Sequence, residues 1–168
     1  STNKIFLIFA SVKNSTMKKH LLIAALLCAA MILSNKIFAT DYIVTNTADS
    51  GEGSLRQAIT SASSNYIGSS NIYFNIPTTD ANYNAENGTF TINILSELPY
   101  LIVAGNVNID ATSQTSNVGN TNPYGPEIVL DGGNRNLQTC FRLASANNSI
   151  KGFAIGGFQY AILFFGAN

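Results

Sequence analysis

From residue 72 onward the chain repeats one pattern, short runs in which every second residue is apolar. Ile72, Phe74 and Ile76 alternate before Pro77 stops the run. Phe90, Ile92 and Ile94 follow, then Val107 and Ile109, Ile128 and Leu130, Phe141 and Leu143, Ile150, Phe153 and Ile155, and the run 161–165. Successive side chains of a strand point to opposite faces, so each run predicts a short strand with one buried face. The intervening residues, as in Ala146-Asn147-Asn148-Ser149 and Asp131-Gly132-Gly133-Asn134, are turn formers. One earlier segment follows another period. Leu55, Ala58, Ile59 and Ala62 fall at i, i+3, i+4 and i+7, which predicts a short amphipathic helix. Ser54-Leu55-Arg56-Gln57 reads as its capping box, with the Ser54 hydroxyl accepting from the Gln57 N–H and Gln57 reaching back to the N–H of Ser54. Asn65 and Gly68 can end it. No second amphipathic helix is visible, so alternating βα units are not expected.

The first forty residues have a different logic. After Met17 come the basic Lys18, Lys19 and His20, an apolar run over 21–33, and a polar exit with Ile37 and Ala39 at the −3 and −1 positions. The charges retain the N-terminus, the apolar run enters the translocon, and the small Ala39 suits a signal peptidase. Thirteen apolar residues fall short of the about 20 that span a bilayer. The expectation is a signal peptide over 17–39, with 1–16 upstream of the natural start and a mature domain over 40–168. A permanent membrane anchor is the competing reading.

Charge follows the same division. Lys4, Lys13, Lys18, Lys19 and Lys36 precede residue 40, and all nine acidic residues follow it, leaving four basic against nine acidic side chains, a net of −5. That balance argues against nucleic acid, which needs a basic footprint. Loss of the signal would remove Cys28 and leave Cys140 alone, so no intramolecular disulfide is expected. Cys140 as a nucleophile would need a histidine, and the only one, His20, lies in the signal. Cys140 is expected to be a small core side chain.

Two all-β architectures can use the alternating runs. A sandwich calls for frequent Asn-Gly or Asp-Gly hairpins, and Asn87-Gly88 and Asp131-Gly132 are the candidates present. A parallel β-helix needs only short strands recurring about every 9–12 residues, as they do from Phe141 to Phe164. In it the Ser54-led helix would cover the open apolar end of the stack. The expected fold class is therefore all-β, a parallel β-helix with one capping helix. The uncapped run Ile162-Leu163-Phe164-Phe165 suggests truncation, with further coils beyond residue 168.

Several strings carry a resemblance. Tyr42-Ile43-Val44-Thr45-Asn46-Thr47-Ala48-Asp49-Ser50-Gly51-Glu52-Gly53 leads into Ser54-Leu55-Arg56-Gln57-Ala58-Ile59. Ile72-Tyr73-Phe74-Asn75-Ile76-Pro77, Leu95-Ser96-Glu97-Leu98-Pro99, Val107-Asn108-Ile109-Asp110-Ala111-Thr112-Ser113-Gln114 and Glu127-Ile128-Val129-Leu130-Asp131-Gly132 follow in order, then Ser149-Ile150-Lys151-Gly152-Phe153. Together they resemble the N-terminal part of secreted bacterial right-handed parallel β-helix repeat proteins, a pectate-lyase-like solenoid with a Ser-Leu-Arg-Glu/Gln-Ala-Ile cap, over nearly all of 41–168. Gly53 stands where a sister motif has Cys, and Ala111 where Gly is usual. The resemblance implies a large adhesin-like or outer-membrane-associated protein, often with a C-terminal sorting or anchoring domain. It implies fold and location more strongly than activity.

Enzymatic solenoids of this shape use carboxylate clusters for Ca²⁺ and an Arg or Lys base, or two carboxylates at a set separation. The candidates are Asp110, Asp131, Arg135, Arg142 and Lys151. Asp110 and Asp131 each end a strand, where Asp commonly serves local backbone N–H groups. Arg142 and Lys151 alternate with inward residues and are expected to face solvent. Arg56 is expected to pair with Asp49 or Glu52 and lock the cap. Asn87-Gly88-Thr89 and Asn147-Asn148-Ser149 match glycosylation sequons but read as turns. Residues 111–126 form a long polar excursion with Tyr100 and Tyr124 near its ends, where a glycan ring could stack.

No catalytic, cofactor or metal residue is assigned on this reading. The expected function is a monomeric secreted or cell-surface module, structural or adhesive, with polysaccharide or surface glycan as its partner. The alternative is the N-terminal part of a polysaccharide lyase or glycoside hydrolase whose catalytic residues lie downstream. A non-functional gene fragment is a third reading.

Overall fold

The structure, a computed structural model, describes residues 15–33, 39–65, 68–101, 106–133 and 136–165. It divides into two compact units, Ser1–Lys36 and Ile37–Asn168. The first contains helix α1, Ser15–Leu33. Its apolar residues are spread around the axis, and Leu22, Ile23 and Leu26 are exposed. A helix that is apolar on every side has no single face for a globular core. Among the described residues, no helix is long and apolar enough to cross a membrane.

In the second unit, β1 (Thr40–Val44) leads to α2 (Leu55–Ser63), β2 (Ser70–Phe74), β3 (Tyr83–Asn84), β4 (Thr89–Asn93) and β5 (Val107–Asp110). Then come α3 (Ser113–Val118), β6 (Ile128–Asp131), β7 (Thr139–Leu143), β8 (Ser149–Lys151), β9 (Phe153–Gly156) and β10 (Tyr160–Phe164). The strands form three sheets, ordered β1-β2-β5-β8, β3-β4-β6-β9 and β7-β10. Pairing is parallel except between β3 and β4, where Tyr83 lies antiparallel to Phe90.

The expectation of an all-β, right-handed parallel β-helix is thereby corrected. The chain is α/β, with three helices among the described residues and mixed sheets containing parallel strands. Two elements overturn the all-β reading. Residues Ser15–Leu33, which include the apolar run of the expected signal peptide, are helical, and the polar excursion contains α3. That last helix buries one residue, Gln114, so it has no apolar stripe for a periodicity argument to find.

The alternation itself sets the register. Ile72 lies opposite Ile109, which lies opposite Ile150. Phe90 faces Ile128 and then Phe153, while Ile92 faces Leu130 and then Ile155. A slip of one residue would turn each of these side chains to the other face. Complete burial, as for Ile72, Phe90, Ile92, Ile109, Ile128 and Leu130, contributes about 1.5–3 kcal/mol per side chain, so the aligned register dominates the alternatives. Phe153 packs edge-on to Phe74 at 5.5 Å and tilts against Phe141 at 5.6 Å.

Helix α2 starts as its capping residues predict, with one change of partner. The Ser54 hydroxyl accepts from the Gln57 N–H at 3.2 Å, but Gln57 Oε1 accepts from the N–H of Gly53 at 2.9 Å. The Ser54 N–H donates instead to the Gly51 carbonyl, which closes the preceding turn. Leu55, Ala58, Ile59 and Ala62 are buried along one face. Arg56 fixes the solvent side, pairing with the Asp49 carboxylate at 2.7 Å and donating to the Glu97 and Ser96 carbonyls, each at 2.7 Å.

Candidate functional site

The excursion after β5 is held by side chains aimed at backbone. Strand β5 pairs with β2 only as far as Tyr73, and then the chain turns away. From there α3 takes over the edge of the sheet. Ser113 Oγ accepts from the Phe74 N–H at 2.7 Å, and Asn117 Nδ2 donates to the Phe74 carbonyl at 2.8 Å. Gln114 bonds both backbone groups of Ile76. Buried backbone groups must be paired, and here polar side chains replace the missing strand.

Further along, Thr121 Oγ1 donates to the Gly88 carbonyl at 2.7 Å. Gly88 has φ +71°, and a Cβ there would come 1.8 Å from the Thr121 carbonyl oxygen, so this crossing requires glycine. The segment then folds back on itself. Asn122 Nδ2 donates to the Pro126 carbonyl at 3.0 Å, and Asn122 Oδ1 accepts from the Tyr124 N–H at 3.2 Å. This clasp, with Pro123 and Pro126 restricting φ, presents Tyr124 almost wholly to solvent, at 98% exposure.

The excursion walls a cleft of about 320 Å³, lined chiefly by Thr112, Thr115, Asn120, Asn122, Glu127 and Gly152. Pro123 and Gly125, on either side of Tyr124 in the chain, also line the space, and Tyr124 itself projects into solvent. Glu127 is buried, and the Thr115 hydroxyl lies 2.7 Å from each of its carboxylate oxygens. The opposite wall is held by Asp110, whose Oδ1 accepts from the Thr112 N–H at 3.0 Å and the Thr112 hydroxyl at 2.6 Å.

Asp110 also meets Lys151 Nζ at 3.0 Å across the parallel pair β5–β8. Burial disfavours the charge on Asp110. The Thr112 hydrogen bonds and the Lys151 charge together outweigh that cost and hold the carboxyl below its ordinary range.

Asp110 and Lys151 are thus brought together as an ion pair. Asp131 stays apart from them and accepts from the Gly133 N–H at 2.7 Å, a turn role. Arg135 lies outside the described residues. Arg142 does not face solvent as its place in the alternation suggested. Its side chain is 12% exposed, paired with Glu97, donating to the Leu98 carbonyl at 2.9 Å and lying 3.8 Å over the Tyr100 ring. Phe165 takes a further contact with Tyr100 at 5.6 Å. Of the two tyrosines expected to serve a glycan, Tyr100 is therefore occupied, and Tyr124 has its ring exposed.

Cys140 is in the core, where burial pushes its thiol up to about 12. Asn87 Oδ1 accepts from the N–H and hydroxyl of Thr89, the turn role expected of it. Among the described residues, no group of three or more His, Cys, Asp or Glu is placed to hold a metal. Glu127 was not foreseen. It precedes Ile128 in the alternating run, a phase that points outward, and only the folded excursion buries it.

A larger cleft of about 480 Å³ lies among Asn136, Leu137, Gln138, Gly157, Phe158 and Gln159. Its three amide-bearing residues are exposed, and none of the described residues lining it is charged. The cleft at Glu127 is the better-built site. No protein-family model matches the chain, and no curated protein or solved structure matches it either. Function therefore rests on the residues of the site.

Proposed function

We propose that the Ile37–Asn168 unit is a secreted or cell-surface module with a structural or adhesive role, and that it contacts glycan at the cleft walled by Glu127 and the segment 122–126. The observation that carries this reading is Tyr124, 98% exposed, whose backbone N–H donates to Asn122 Oδ1 and whose neighbours Pro123 and Gly125 line a polar cleft. A sugar ring has apolar C–H faces and polar edges. An exposed aromatic beside hydroxyl, amide and carboxylate groups matches both. The basic residues ahead of the apolar run 21–33 support export, and the strings after residue 41 support kinship with surface proteins. Asp110 and Asp131 are each engaged in their own turns, which favours binding over catalysis at these carboxylates.

Screening the chain against immobilised oligosaccharides tests the proposal. Binding by the wild type, weakened about tenfold by Tyr124→Ala (about 1.4 kcal/mol), is the expected result. Binding unaffected by Tyr124→Ala would remove the cleft from the account.

A further inference from the structure

The chemistry of Glu127 narrows the ligand, on the assumption that the cleft binds glycan. Glu127 is 5% exposed, and no cation among the described residues lies within ion-pair distance of it. Among the described residues, the donor to its carboxylate is the Thr115 hydroxyl, placed 2.7 Å from both oxygens. A hydroxyl carries one proton, while a carboxylate offers about four acceptor sites. A buried carboxylate served this thinly is costly unless a further donor or a positive charge reaches it. The cleft is the route by which one can arrive.

Two of the other polar walls are already engaged, and Asn120 adds a neutral amide. The Thr112 hydroxyl already donates to Asp110. Both ends of the Asn122 amide are engaged, with Pro126 and Tyr124. What dominates the cleft is the acceptor capacity of the buried Glu127 carboxylate, with the exposed aromatic Tyr124 in the adjoining segment. We infer that the cleft selects a saccharide bearing a protonated amine, a 2-amino-2-deoxy sugar, with its ammonium at the Glu127 carboxylate and its ring against Tyr124. The ammonium supplies the three donors and the positive charge that Glu127 lacks.

Calorimetric titration of the full chain at about pH 6, where a primary amine of this kind is protonated, tests the inference. The probes are the glucosamine tetramer and its fully N-acetylated counterpart, which share a backbone and differ in charge. The wild type is expected to prefer the glucosamine tetramer at least tenfold. Glu127→Gln, which keeps the shape and the Thr115 contact but removes the charge, is expected to abolish the preference. Near-UV circular dichroism checks that the variant is folded, and the wild-type comparison stands without it. Equal wild-type affinity for the two tetramers overturns the inference and leaves the glycan reading in place. Binding of neither tetramer, with no other oligosaccharide bound, overturns both.

Discussion

The side-chain amide of Gln114 makes both of its hydrogen bonds to one residue, Ile76. Nε2 donates to the Ile76 carbonyl at 2.7 Å, and Oε1 accepts from the Ile76 N–H at 2.9 Å. In effect one glutamine supplies the rung that a neighbouring strand would have made. Both Gln114 and Ile76 are fully buried, so water cannot substitute.

Gln114→Ala should therefore be unusually damaging for a polar-to-alanine change. It strands one buried donor and one buried acceptor, each costing about 1–3 kcal/mol, so a loss of about 3 kcal/mol is expected. Urea denaturation followed by far-UV circular dichroism measures it. A loss under about 0.5 kcal/mol, the range of ordinary surface changes, would show that the rung is not structural.

The strand set is largely legible in the sequence. Ile72 and Phe74 lie in β2, Phe90 and Ile92 in β4, and Ile128 and Leu130 in β6, all with the expected buried faces. Ser54 caps α2 as its motif predicts. Helix α3 was not legible, because its side chains answer to Phe74 and Ile76, about forty residues back along the chain, and not to a local apolar face. Arg142 was misjudged for a related reason. Alternation shows which side of a strand a residue takes, but not that residues 97–100 fold over that side. Nor does a period of two distinguish parallel from antiparallel neighbours, so the β3–β4 pair was hidden.

Arg142→Lys should loosen the segment 97–100. The guanidinium contacts Glu97, the Leu98 carbonyl, the Tyr100 hydroxyl and the Tyr100 ring at once, which a single ammonium cannot reproduce. A loss of about 2 kcal/mol is expected, with faster chymotryptic cleavage after Tyr100. Unchanged cleavage would contradict the clamp.

The Asp110–Lys151 pair predicts a definite dependence on pH. The carboxyl titrates below its ordinary value in the folded chain, so the unfolded chain takes up its proton first as pH falls. Its stabilising contribution is fully present above the ordinary aspartate pKa of about 3.9 and is lost as pH falls through the lower, folded value. Wild type should exceed Asp110→Asn in urea midpoint at pH 7, and the gap should close in acid. A gap that widens on acidification would refute this assignment.

Cys140 should be chemically silent in the folded state. It is inaccessible, and with its thiol pushed up to about 12 the thiolate fraction at pH 8 is about one in ten thousand. In a Cys28→Ser background, a disulfide reagent should label no thiol until urea unfolds the chain. Prompt labelling in buffer would show that the core around Cys140 opens.

The account turns on where a sugar lands. An NMR titration of the ¹⁵N-labelled chain with the oligosaccharide it binds best reads this directly. The expected result is amide shift changes concentrated at Thr112, Thr115, Asn120, Asn122, Tyr124 and Glu127, and absent in Tyr124→Ala. Changes centred on Asn136, Gln138 and Gln159, or no change with any oligosaccharide, would contradict it.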